Sequence, residues 1–325
     1  MKKPFYVDRG GEQVYRAPFT AENVDFWGFL LKANKRRMRE TICDLCLNDP
    51  SDTPDRFKMA MPYAMVVFNN MTALTSIDPP FDVRGVFPEK EFAIWTLVED
   101  TVANRLYWFQ PYIFVDNAYA LTMGREIYGF PKALGWFELP EDAGHPDRLA
   151  MDTIVVPTFG PGQPAARERL IEVKRTGDGD GGVRPVADAV ALARTIRDVL
   201  TEAGEDAALI RHELHDLWNL NVMMVFLKQF RAAGDTTRCD YQAITNIDCK
   251  ATKFHGGHIL LSPYSVDFGD FDSHPVRSDL GLKDGALKPI VSFWARFDFW
   301  IGPGATLWTH DEGWISDGVG EGEMA

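Results

Sequence analysis

Cysteine is scarce in this chain, with four among 325 residues. That is too few for a disulfide scaffold. Long apolar runs are missing as well, and none approaches the roughly 18 residues that a membrane-spanning helix needs. The opening stretch, MKKPFYVDRGGEQ, has two lysines but no apolar segment behind them, and does not read as a signal peptide. Positive charge is in deficit: 34 Lys and Arg stand against 47 Asp and Glu, a formal net charge of -13. Such a chain repels phosphate backbones and anionic bilayers, so neither nucleic acid nor membrane is an expected partner. No GxSxG, Walker loop or long-period repeat occurs. These absences predict a cytoplasmic globular protein. Aromatic residues are plentiful instead, at 12% with nine Trp, and predict a filled interior with an aromatic pocket.

The first 19 residues read as an arm. Thr20, with Glu22 in the following turn, predicts a helix start, and Phe26, Phe29, Leu30, Met38, Ile42 and Leu45 fall near helical spacing. The Asn48–Pro54 stretch then ends that helix. From Phe57 onward the texture is that of short strands: Tyr63–Phe68, Phe92–Val98, Leu106–Phe109, Tyr112–Val115 and Met151–Pro157, separated by turn residues. Connections this short favour antiparallel pairing. Helices are expected at about 186–203 and 205–217. Strands return at Asn221–Phe230, Gln242–Phe254 and Gly257–Leu261, and an aromatic cluster runs from Phe293 to Trp308.

Several motifs lack the spacing their chemistry requires. Cys43 and Cys46 have zinc-ligand spacing, but Cys239 and Cys249 do not make a second knuckle. His212 and His215 are three apart, not four, and miss the zincin pattern. The GDGDGG string at 177–182 has no glutamate at the twelfth loop position of a calcium hand, and reads as a hinge. His255 and His258 read as turn histidines. Asn70-Met71-Thr72 is a sequon without a secretory context. No metal and no cofactor is expected.

One stretch carries chemistry: GREIYGFPKALG, Gly124 to Gly135. Its Lys132 is flanked by Phe130, Pro131, Ala133, Leu134, Trp136 and Phe137. A lysine in such company either snorkels to the surface or is desolvated. The stretch resembles the signature of the acetoacetate decarboxylase superfamily, approximately GRE-x-x-(G/A)-(Y/F)-P-K-K-L-G. The resemblance runs back through Phe114–Met123 and continues more weakly in the C-terminal half.

The resemblance implies an α+β fold, mainly antiparallel β, with curved sheets forming a cone-like β-barrel and peripheral helices. It implies one domain over 1–325, with an N-terminal arm and helix (1–50) and a helical insertion at about 160–215. It assigns Lys132 as the Schiff-base lysine. Glu89, in the run Glu89 to Ile94, matches the family's acid/base glutamate. Glu91 is its neighbour, and Tyr128 and Phe130 are substrate-binding candidates; Tyr128 reads equally as a packed aromatic. The partner is a small-molecule keto substrate, and assembly into a homo-oligomer is implied.

Two departures stand out. The family's second lysine is Ala133 here, so burial is expected to carry the lowering of the Lys132 pKa on its own. The family's carboxylate-binding arginine has no counterpart in Glu22–Asp25; Arg16, Arg36, Arg37 or Arg39 would have to replace it. The expected activity is that of a Schiff-base lyase, most directly a decarboxylase. Aldolase–dehydratase chemistry through the same lysine, or non-catalytic binding on the same barrel, are the alternatives.

Overall fold

The computed structural model describes residues 5–7, 15–177, 182–202 and 221–315. Fifteen strands dominate it. In chain order they are β1 (Phe19–Lys32), β2 (Phe57–Met59), β3 (Tyr63–Ser76), β4 (Phe87–Asp100) and β5 (Arg105–Val115). Then come β6 (Lys132–Leu134), β7 (Trp136–Glu138), β8 (Arg148–Val155), β9 (Ala166–Arg175) and β10 (Val183–Pro185). The last five are β11 (Asn221–Arg231), β12 (Cys239–Leu260), β13 (Tyr264–Phe268), β14 (Val291–Thr309) and β15 (Gly313–Trp314).

Eleven of them form one sheet, in which the path runs β10-β12-β11-β5-β4-β3-β1-β14-β15. Strand β12 also pairs β14. Pairing is mostly antiparallel. The exceptions are β5 with β6, and one parallel bridge between Met224 of β11 and Trp108 of β5. The other four strands, in the order β13-β9-β8-β7, form a second sheet. The largest core fills the space between the two sheets, where Trp27, Phe29, Phe68, Phe92 and Phe114 face Met151, Ile171 and Val266. Full burial of side chains this large contributes roughly 1.5–3 kcal/mol each. The opposite face of the large sheet carries two further apolar clusters, one around Leu30, Met65 and Phe293, the other around Phe19, Ile113 and Met224.

The helix expected from Thr20 is a strand. Residues Phe19–Lys32 pair β3 on one side and β14 on the other. Both faces of β1 are covered: Trp27, Phe29 and Leu31 pack between the sheets, and Leu30 with Phe26 packs on the other side. A strand buried on both faces reads as a near-continuous apolar run, and its residues meet helical spacing by chance. Helix begins only at Lys35, where the Asn34 side chain accepts from the Arg37 backbone N–H at 3.1 Å. It continues with wide turns to Ser51 and stops at Asp52 in left-handed conformation. Cys43 and Cys46 lie in this helical run, and burial pushes their thiols up to about 12 and about 11.

The expected strand pieces at Leu106–Phe109 and Tyr112–Val115 are one strand, β5. The stretches Gln242–Phe254 and Gly257–Leu261 are likewise one strand, β12, with a register shift instead of a turn at Phe254/Gly256. In the segment read as a helical insertion, Ala189–Glu202 is a helix, whereas Ala166–Arg175 is a strand of the second sheet. The expected helix at 205–217, with His212 and His215, lies outside the described residues, as does most of the GDGDGG string. No described helix is long and apolar enough to cross a membrane.

Candidate active site

Successive side chains of a strand alternate between faces. On β4 this puts Glu89, Glu91, Ala93 and Trp95 on one face. Phe92, Ile94 and Val98 go to the other, in the core between the sheets. Glu91 lies opposite Asn69 of β3, and Glu89 opposite Met71. Lys132 arrives from a different route. The helix Ala118–Met123 runs into the wide turn Gly124–Tyr128, which ends at Gly129 with φ +83°. A Cβ at Gly129 would lie 2.6 Å from the Cβ of Lys228, so glycine is required there. The chain then enters β6, parallel to β5, with Lys132 beside Ile113. The Lys132 N–H donates to the Phe130 carbonyl at 2.8 Å, and Arg125 donates to the Lys132 carbonyl at 3.2 Å.

These routes converge on a buried triad of charges. Lys132 is 6%, Glu89 2% and Glu91 8% exposed. Lys132 Nζ donates to Glu89 Oε1 at 2.6 Å and stands 3.4 Å from Glu91 Oε2. Asn69 Nδ2 donates to Glu91 Oε1 at 3.1 Å. The groups open into a cavity of about 110 Å³. Its walls are mostly apolar, with Val24, Phe26, Met71, Trp95, Met224 and Phe299 among them, and Gln110 adds one amide. All five sequence candidates, Lys132, Glu89, Glu91, Tyr128 and Phe130, line it. The Tyr128 hydroxyl is engaged, donating to the Gly302 carbonyl at 2.9 Å. Burial holds its pKa well above the usual phenol range. Phe130 packs edge-on against Phe226, ring centres 4.5 Å apart, and its own ring centre is 5.3 Å from Lys132 Nζ.

The electrostatics differ from the expectation that burial alone frees the amine. Burial does disfavour the Lys132 ammonium, but Glu89 and Glu91 outweigh it and hold the pKa above its ordinary value. Burial raises the Glu89 carboxyl to about 7, against the pull of Lys132 and with a further push from Glu91. Two acids and one cation therefore share a buried site, with Lys132 Nζ at hydrogen-bond distance from a carboxyl whose pKa is raised toward neutrality.

The candidate arginines go elsewhere. Arg16 faces Asp78, Arg36 and Arg37 face Glu40, and Arg39 faces Asp44 and Asp55. No arginine lines the cavity among the described residues. Asp25 pairs with Arg296 and Trp294 instead. Of the histidines singled out in the sequence, the described His255 and His258 do not line the cavity, and His255 is held by Asp298 at 2.7 Å. Sequence reasoning missed Asn69, Gln110 and Trp95. For Trp95 a signal existed, because it stands four and six residues beyond Glu91 and Glu89 on an alternating strand. For Asn69 and Gln110 none did.

Residues 53–156, which include every one of the five candidates, match the family model for acetoacetate decarboxylase. Over these residues the chain is similar to the acetoacetate decarboxylase family. Solved structures share the fold. An acetoacetate decarboxylase from Legionella pneumophila subsp. pneumophila str. Philadelphia 1 aligns with TM-score 0.61 at 14% identity, over 95% of this chain and 93% of that one. An acetoacetate decarboxylase-like enzyme from Sphingomonas wittichii RW1 aligns with TM-score 0.57 at 14% identity, over 94% and 99%. The enduracididine biosynthesis enzyme MppR, in complex with pyruvate, aligns with TM-score 0.53 at 14% identity, over 91% and 93%. No curated protein matches the chain by sequence.

Proposed function

We propose that the protein is a carbon–carbon lyase that binds a keto compound as a Schiff base on Lys132 and decarboxylates it. The curved sheet then acts as a cone-like barrel around the reacting lysine. The observation that carries this reading is the 2.6 Å contact between buried Lys132 Nζ and Glu89 Oε1 in an apolar cavity. The contact pairs a nucleophile with a base at hydrogen-bond distance.

The steps follow from that geometry. Glu89 takes a proton from the ammonium, and the neutral amine attacks the ketone carbon. The carbinolamine loses its hydroxyl as water, with a proton returned by the Glu89 carboxyl, and an iminium results. Its positive nitrogen draws the electron pair of the breaking C–C bond as carbon dioxide departs, leaving an enamine. Glu89, reprotonated from solvent, delivers a proton to carbon, and water hydrolyses the iminium to release product and the Lys132 ammonium, so each cycle takes up one proton from solvent. One water is released and one consumed. General acid–base assistance of this kind contributes about 10²–10⁴ in rate.

A second reading is aldolase–dehydratase chemistry on pyruvate-like substrates through the same lysine, supported by the same Lys132–Glu89 contact and by the likeness to MppR complexed with pyruvate. The test is borohydride reduction with a panel of keto acids, followed by mass mapping of the adduct and measurement of carbon dioxide. Label on Lys132 with carbon dioxide released supports decarboxylation. Label without it moves the reading to the aldol branch. Label scattered over surface lysines, or none at all, overturns both.

A further inference from the structure

A second chamber of about 150 Å³ lies against the wall of the Lys132 cavity. Phe26, Trp95, Cys249 and Phe299 border both spaces. Its far side is closed by Leu192, Ala193 and Ile196 of the helix Ala189–Glu202 and by Leu30 and Met65 of the sheet. No charged side chain lines it among the described residues, whereas the Lys132 cavity carries Asn69, Glu89, Glu91 and Gln110. Strand alternation explains the adjacency, because Trp95 projects from the same face of β4 as the two glutamates.

A dry apolar cavity of roughly 150 Å³ accepts a benzene-sized ligand. A void of that size in a core weakens it, and an apolar ligand restores the lost contacts. The dividing wall also holds a buried donor: the indole N–H of Trp95 has no acceptor among the described residues. A buried donor without a partner is costly, and a ligand oxygen passing the wall satisfies it. Among the described residues neither lining holds an arginine, which leaves apolar contact a large share of the affinity for substrate.

We propose that this chamber is the tail subsite of the Lys132 site. The substrate is a ketone or 3-oxo acid whose carbonyl reaches Lys132 and whose aryl group, or alkyl chain of about five or six carbons, lies in the chamber. Trp95 donates to an oxygen of the ligand at the wall. This rests on the Schiff-base reading for the head of the substrate, but the chamber's occupancy can be measured apart from it.

The experiment uses the full chain and two readouts. The first is the concentration giving half-maximal borohydride trapping for acetoacetate, 3-oxooctanoate and benzoylacetate. Each buried methylene contributes about fourfold in affinity. The two larger compounds are therefore expected to trap at least about tenfold more tightly than acetoacetate. In Ala193→Phe and in Ala251→Phe, which fill the chamber from the helix and from β12, that ratio collapses toward one. The second readout is calorimetric titration with butylbenzene, which has no carbonyl; saturable binding is expected in the native protein and not in the filled variants. Trapping without length preference, and no butylbenzene binding, would mean a packing void or a chamber filled by the chain itself, and overturns the subsite while leaving the Schiff base. Butylbenzene binding that the variants abolish, with no trapping by any ketone, upholds the chamber and overturns the lyase.

Discussion

Lys132 and Glu89 stand 43 positions apart in sequence and 2.6 Å apart in space, both beneath the surface. Neither group suits its task alone. Burial favours a protonated Glu89 and a neutral Lys132, while their mutual attraction favours the opposite. The contact places the Lys132 amine and a Glu89 carboxylate oxygen within reach of proton exchange.

The first prediction concerns pH. Below about 7 the Glu89 carboxyl is already protonated and cannot accept the Lys132 proton. Imine trapping in the native protein should fall as pH drops through that value. Glu89→Gln should lose this inflection and slow trapping by about 10²-fold or more. Single-turnover trapping between pH 5 and 9 measures it. An inflection that persists in the variant would assign it to another group.

The second concerns stability. Lys132→Met leaves Glu89 and Glu91 buried with no cation, so the Glu89 carboxyl rises further above the 4.5 of a free side chain. A carboxyl raised on folding favours the fold while protonated, and that contribution fades as pH climbs through the folded value. The variant should lose little at pH 5 and about 3–5 kcal/mol at pH 8. Urea denaturation at the two pH values is the measurement; equal losses would contradict the sign.

The third concerns Gly124. A Cβ there would lie 2.6 Å from Lys132 Cδ and 3.0 Å from Cε. Gly124→Ala should push the lysine stem off Glu89 and cut trapping at least about tenfold, since small misplacements of a reacting group cost about 10²-fold. The melting temperature should change much less than the rate. A variant that traps at the native rate would show that the stem has room to move.

The fourth concerns Ala133. Lys132 points into the cavity, while Ala133 packs against the core between the sheets. Ala133→Lys should therefore lower the melting temperature and leave the pH dependence of trapping in place. A trapping profile displaced toward acid would show that the new ammonium reaches the reacting amine.

The sequence alone carried the five candidate residues that line the cavity. GREIYGFPKALG marked Lys132, the run from Glu89 to Ile94 marked the acid pair, and β3, β4, β8 and β11 were legible as apolar stretches between turn residues, while β14 read only as an aromatic cluster. Local pattern could do this because a strand's alternation and a turn's glycine are dictated by near neighbours. It failed at Thr20, where a strand covered on both faces imitates a helix.

Tertiary structure decided the rest. Of the apolar neighbours of Lys132 in sequence, Phe130 lines the cavity, but Leu134 and Trp136 are 46% and 41% exposed. The walls come instead from Phe26, Trp95, Met224 and Phe299 on β1, β4, β11 and β14. Whether the lysine pKa rises or falls likewise depended on distance. Burial by itself predicts a fall, and only the register of β4 against β3 and the path of β6 beside β5 bring two carboxylates close enough to reverse it. Electrostatic interaction in a dry site depends on separations of a few ångströms, which are set by pairing between strands remote in the chain.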